Sequence, residues 1–159
     1  MIKLRDCPEK QCTEGYIFYN PDEKGFDTFP NNKSDVTLLV AYIQIGFDVD
    51  DMCSNQVFGL SPASSWNKRK LIVPNKGTRC ALKLEEDFDY GTWRLDKGNE
   101  WKCYYDPTSG WFCVGNPEVG AETTNVSFID NAIAVLNMHG ELQSLWIKPV
   151  ITDDIPLTL

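Results

Sequence analysis

Apolar positions along this chain fall into short runs rich in β-branched and aromatic residues, and turn-forming residues interrupt them at close intervals. That pattern predicts strands. Tyr16-Ile-Phe-Tyr19 is one such run, closed by Asn20-Pro21, and residues 22–35 read as a loop around Gly25, Pro30 and Asn31-Asn32. Residues 36–49 form the longest apolar segment. Their composition predicts a strand with a bulge at Gly46, a helix being the competing reading of so long a run. Gln56-Val-Phe-Gly-Leu60, Leu71-Ile-Val73 and Cys80-Ala-Leu-Lys-Leu84 are shorter strand candidates. From Thr152 onward the chain reads as a frayed end.

Two hairpins are better specified. Trp101-Lys-Cys-Tyr-Tyr105 and Trp111-Phe-Cys-Val-Gly115 flank the turn Asp106-Pro-Thr-Ser-Gly110, a length that sets Cys103 opposite Cys113 and Trp101 opposite Gly115. Ala132-Ile-Ala-Val-Leu136 then turns through Asn137-Met-His-Gly140 into residues 141–147, with Asn and Gly placed for a type I turn and a glycine bulge. Alternation puts Ile133, Val135, Leu145 and Ile147 on one face, and Ala134, Leu136, Leu142 and Trp146 on the other. Two apolar faces require cover on both sides, so a helix or long loop should pack over this sheet. Asp130-Asn131 should turn or cap before it. The expected fold is α+β and β-rich: a mainly antiparallel sheet built from hairpins, with one or a few covering helices or long loops. At 159 residues, a single domain spanning 1–159 is the simplest organisation.

Charge sharpens the picture. Residues 66–83 hold six basic residues (Lys68, Arg69, Lys70, Lys76, Arg79, Lys83) and no acid. The rest of the chain has 9 basic against 23 acidic residues, a net charge of −14. Such a surface repels nucleic acid and anionic lipid and attracts a basic protein at long range. The start of the chain carries charges where an export signal needs an apolar run, and nothing approaches the length of a spanning helix, so a cytoplasmic protein is expected. Six cysteines without a Cys-x-x-Cys, and a single histidine, His139, then read as reduced and mostly buried thiols.

No constellation specifies a reaction. His139 falls at a hairpin tip, a poor place for a preorganised base. Asp48-Val-Asp-Asp51 and residues 85–89 lack calcium-loop spacing. No enzymatic activity and no cofactor or metal is therefore expected. The segment Glu85-Glu86-Asp87-Phe88-Asp89-Tyr90, followed by Trp93, differs from an ordinary acidic loop because rings are threaded through the carboxylates. Acids steer an encounter and rings supply affinity, so these seven residues are the candidate binding site.

The second half of the chain carries a resemblance. Trp101 with Tyr104-Tyr105-Asp106, Gly110-Trp111-Phe-Cys-Val-Gly115, Asn131-Ala-Ile-Ala-Val-Leu136, Gly140-Glu141-Leu142 and Leu145-Trp146-Ile-Lys-Pro149 together resemble bacterial immunity proteins of contact-dependent growth inhibition and related polymorphic toxin systems. The resemblance spans about residues 101–149. It implies a small cytoplasmic, non-enzymatic protein that binds a cognate toxin domain and occludes it, often a basic nuclease for which an acidic inhibitor imitates the phosphate backbone. Glu85, Glu86, Asp87, Phe88, Asp89, Tyr90 and Trp93 come from charge and aromaticity alone. A carbohydrate- or small-ligand-binding β domain is the alternative, with Trp66, Trp93, Trp101 and Trp111 as a stacking platform.

Overall fold

A computed structural model describes residues 2–152. In chain order the strands are β1 (Leu4–Cys7), β2 (Tyr16–Asn20), β3 (Gly25–Phe29), β4 (Val36–Val40) and β5 (Ile43–Phe47). Then follow β6 (Ser54–Leu60), β7 (Asn67–Lys68), β8 (Ala81–Leu84), β9 (Gly91–Arg94) and β10 (Cys103–Tyr105). The last are β11 (Phe112–Gly115), β12 (Thr124–Ile129), β13 (Ala132–Leu136), β14 (Leu142–Ile147) and β15 (Val150–Ile151). The only helical elements among the described residues are three-residue 3-10 turns, Ala63–Ser65 and Gly98–Glu100. The expected β-rich, mostly antiparallel fold is present, but covering helices are not. No described helix is long and apolar enough to cross a membrane.

The strands form two large sheets, ordered β12-β13-β14-β11-β10-β7 and β15-β2-β3-β6-β5-β4-β9, with β1-β8 as a separate ribbon. One continuous core lies between them. The seven-stranded sheet contributes Ile17, Phe26, Leu38, Ile45 and Val57, the six-stranded sheet Phe112, Val114, Phe128, Leu145 and Ile147, and the ribbon Leu4, Leu82 and Leu84. Trp66 is wedged among rings from both sheets, with centroids 4.8 Å from Tyr19, 5.1 Å from Tyr105 and 5.0 Å from Phe112. Its indole N–H donates to Ser61 Oγ at 2.9 Å, so burial leaves no unpaired donor. Asn131, in the turn between β12 and β13, joins the layers. Its amide donates to the carbonyls of Ile17 and Lys148, and its oxygen accepts the Ile17 N–H at 2.9 Å.

The six-stranded sheet is also covered on its far side, by loops. Ile133, Val135, Cys113 and Trp146 there pack with Leu71, against which Val73, Trp111 and Val119 close. Polar contacts hold the cover down: Leu71 N–H donates to Asp106 Oδ2, Asn125 Nδ2 to the Asn75 carbonyl, and Ser127 Oγ to the Lys76 carbonyl. Leu71-Ile-Val73 is therefore not a strand: the Leu71 N–H is satisfied by a carboxylate, Leu71 and Val73 form a lid, and Ile72 points outward, 81% exposed.

Other expectations need correction. Residues 36–49 are a hairpin, β4 and β5, reversing at Ala41-Tyr42 with Ala41 at φ 55°. The anticipated bulge does fall at Gly46, where the β5–β6 register shifts. Within the expected loop 22–35 lies β3, whose Phe26 and Thr28 are buried while its other residues are partly exposed. In the first late hairpin Cys103 faces Val114, not Cys113, and Gly115 N–H bonds to the carbonyl of Lys102, not to Trp101. Asp106 is the cause: its N–H bonds to the Trp111 carbonyl and its Oδ1 accepts from Thr108 and Ser109, which draws Trp111 into the turn and makes it one residue longer. The two thiols then lie on opposite faces of the sheet, and all six cysteines are unpaired.

The second hairpin forms as expected, with Gly140 at φ 79° and Asn137 Oδ1 accepting from His139 and Glu141. Its pairing slips by one residue. Trp146 faces Ile133, and Leu145 faces Ala134, because a bulge intervenes near Leu136. Of the tail, Thr152 is buried and donates to the Tyr19 carbonyl at 3.2 Å. The remainder of the expected frayed end lies outside the described residues.

Candidate functional site

The residues singled out for binding connect β8 to β9. At the end of β8, Glu85 N–H bonds to the carbonyl of Lys3, and beyond it Glu85, Glu86 and Asp87 are exposed. Phe88 turns back onto the core. The chain then re-enters a sheet when Gly91 N–H bonds to the Asp35 carbonyl, starting β9 as a parallel partner of β4. Gly91 has φ 133° and open space where a Cβ would stand, so backbone conformation selects glycine there, not crowding.

β9 is the edge of the seven-stranded sheet and all four of its residues are exposed. Thr92 fastens it through a 2.9 Å hydroxyl–hydroxyl bond to Thr37, and Leu95 N–H bonds to the Leu39 carbonyl. Trp93 falls on the core side by register with Leu38, yet 40% of it remains exposed because nothing lies beyond the edge. Its ring stands 5.2 Å from that of Phe88, and its N–H donates to the Asp89 carbonyl at 3.2 Å. Tyr90 is 72% exposed. The structure thus brings the three rings to this edge, with Phe88 as an inner anchor, Trp93 held against it and Tyr90 exposed, while Glu86, Asp87 and Asp89 lie in the exposed segment leading to it and Glu85 lines a separate cleft with Lys3, Arg5 and His139.

Among the described residues the ion pairs are Lys10–Asp51, Arg69–Glu118 and Arg79–Asp130. Glu85, Glu86, Asp87 and Asp89 take part in none of them, though Glu85 shares its cleft with Lys3 and Arg5. The acids of the other cluster have structural work. Asp48 Oδ1 accepts from the Asp50 N–H, Asp51 Oδ1 from the Cys53 N–H, and Asp51 pairs with Lys10. Among the described residues, no three His, Cys, Asp or Glu side chains are grouped to hold a metal ion. His139 is exposed at its turn. Burial, with Asp51 and Cys7 adding to it, pushes the Cys53 thiol up to about 12, which keeps it protonated and unreactive.

The four tryptophans do not form a stacking platform. Trp66 lies between the sheets, Trp101 packs on the main core, Trp111 closes the far-side cluster, and Trp93 stands at the edge. The basic stretch also acquires a place. Arg69 sits 5.7 Å above the Tyr104 ring and bonds to Glu118, on the strap that covers the six-stranded sheet. Sequence reasoning missed an open cleft of about 720 Å³, which is lined by Phe18, Asp27, Gln56 and Phe58 among others. No local signal marks it, since it depends on two strands that diverge. Comparison with known protein families gives no match, and comparison with curated proteins gives none either.

Proposed function

We propose that this protein is an immunity protein that neutralises a cognate bacterial toxin, most simply a basic nuclease domain, by stoichiometric occlusion in the cytoplasm. The observation that carries the proposal is the acidic and aromatic segment at residues 85–93, whose carboxylates form no ion pair among the described residues, together with the resemblance of residues 101–149 to such proteins. Four free carboxylates raise the rate of encounter with a cationic surface. Tyr90 and the exposed part of Trp93 bury apolar area once contact is made, and aromatic anchors of this kind dominate interface energies. Phe88 preorganises Trp93, which lowers the ordering cost of binding. The docked body then excludes substrate, with no chemistry required of the inhibitor.

The test is kinetic and uses a basic toxin domain sought among the genes that adjoin the one for this chain. Wild-type protein should bind it one to one and abolish its activity. The double reversal Glu86→Lys/Asp87→Lys should slow association about tenfold at low salt and flatten its salt dependence, with little change in dissociation. Unchanged association would remove this edge from the interface. Absence of a toxin gene beside this one, or of any binding to its toxin domain, would remove the function.

A further inference from the structure

The cleft lined by Phe18, Asp27 and Phe58 arises from an interruption in the seven-stranded sheet. β3 and β6 pair only through Gly25 with Leu60 and Phe26 with Gly59. Beyond that point the Thr28 hydroxyl replaces the ladder, donating to the Val57 carbonyl at 2.7 Å and accepting from the Val57 N–H at 2.9 Å. Asp27 and Phe58, the next pair in register, are left facing one another across the gap, and both line the cleft. Phe18 stands directly opposite Asp27 on β2, so the carboxylate has an aromatic neighbour on each strand beside it.

The end wall of the cleft is rigid. Asn32 Nδ2 donates to the Asn55 carbonyl, Asn55 Nδ2 to the Lys33 carbonyl, and Ser34 Oγ to Asn55 Oδ1. Gln56 Nε2 in turn donates to Ser34 Oγ at 2.6 Å. A cleft of about 720 Å³ falls within the usual size range of small-molecule sites.

Its charge is unbalanced. Asp27 is partly buried, and one oxygen accepts the Thr28 N–H at 2.8 Å. Burial pushes its carboxyl up, and the charge that adds to this is Glu23, a second acid on the cleft wall. Lys33 also lines the cleft, but it is exposed and belongs to none of the ion pairs among the described residues. The partly desolvated Asp27 carboxylate, with a phenyl ring on each strand beside it, forms no ion pair among the described residues. An amidinium or guanidinium meets both needs, forking onto the carboxylate and lying against a ring face.

We propose that the cleft between β3 and β6 binds a small organic cation, an amidinium, guanidinium or ammonium on an apolar body. Asp27 is its counter-ion, and Phe18 and Phe58 are its aromatic walls. The site is separate from the edge at residues 85–93, and the proposal stands whether or not a toxin binds there.

Benzamidine is a suitable probe, with neutral benzamide as its isostere, each followed by amide NMR shifts of the full chain. Benzamidine should shift the amides of Asp27, Phe58 and Gly59 saturably, while benzamide should not. Asp27→Asn should weaken benzamidine at least about tenfold, as expected when a paired charge loses its partner. Phe58→Ala, whose side chain is partly exposed, should weaken it several-fold and serves if Asp27→Asn perturbs the fold. Lys33→Ala should leave binding unchanged or tighten it. The assignment is overturned if benzamidine shifts no cleft amide, if benzamide binds equally well, if both cleft variants bind normally, or if the shifts centre on Tyr90 and Trp93 instead.

Discussion

The far faces of the two sheets have opposite fates. On the six-stranded sheet, β13 is buried at every position and Trp146 is fully enclosed, because a strap bearing Leu71 and Val73 lies across it. On the seven-stranded sheet no comparable strap is present among the described residues. Leu60 is 62% exposed, Phe58 lines an open cleft, and the edge strand β9 is bare. Each sheet uses one face for the shared core. What separates them is a second cover, which turns one outer face into structure and leaves the other, with its edge, available for recognition. On the proposed function, stability and binding then fall to different sheets, and substitutions can test the division.

The largest expected effect is Trp146→Ala. It removes a fully buried indole that packs with Cys113, Ile133 and Val135, and leaves Ser144 Oγ without the 3.0 Å donor it now accepts. Large aromatic truncations in closed sites cost about 3–5 kcal/mol, which chemical denaturation will resolve. A cost below about 1 kcal/mol, the level of a substitution away from the core, would mean that the strap is not a true cover.

A smaller effect is expected at the fastening of the strap. Asp106 accepts from Leu71 N–H on one oxygen and from Thr108 and Ser109 on the other. These bonds, that from Leu71 first, hold its carboxyl below the usual carboxylate range. A depressed folded value makes its contribution complete above the ordinary aspartate range, near 3.9, and loses it as pH falls through the folded value. Asp106→Asn places an amide donor against a backbone donor and should lower the melting temperature at neutral pH. The gap from wild type should close as pH drops below the carboxylate range. A gap independent of pH would assign the loss to packing alone.

The same contrast explains which features were legible in the sequence. The Asn137–Gly140 turn was readable because Asn and Gly each perform a job that their residue type favours. The reversal at Ala41-Tyr42 was not, since Ala41 adopts a left-handed conformation that no turn residue announces. Leu71-Ile-Val73 resembled a strand because a lid over an apolar face needs the same residue types as a strand. The two-sided burial of β13 was legible, and so was the need for a cover, for which a long loop was one of the two candidates and is the one present. Cross-strand pairing slipped by one in both late hairpins because Asp106 and a bulge near Leu136 set the register, and neither is visible in alternation alone. The acidic and aromatic edge was legible because its residues are contiguous. The β3–β6 cleft joins positions about thirty residues apart, and its cause is a single threonine hydroxyl.

The smallest effect on stability is expected where the proposed effect on binding is greatest. Tyr90→Ala removes a ring that is 72% exposed, and Trp93→Ala one that rests mainly on Phe88 at the sheet edge. Tyr90→Ala should stay within about ±0.5 kcal/mol of wild type, the usual range for surface positions away from special contacts. Trp93→Ala should cost somewhat more, through the lost ring contact, for which pairs contribute about 0.5–1.5 kcal/mol. Toxin affinity should move the other way: both changes should accelerate dissociation, since truncated interface aromatics commonly cost 2 kcal/mol or more, roughly thirtyfold. Because stability is nearly untouched, faster dissociation cannot be blamed on unfolding. If Tyr90→Ala instead destabilised the fold by as much as a core truncation, the edge would belong to the structural half of the molecule and the division between the sheets would fail.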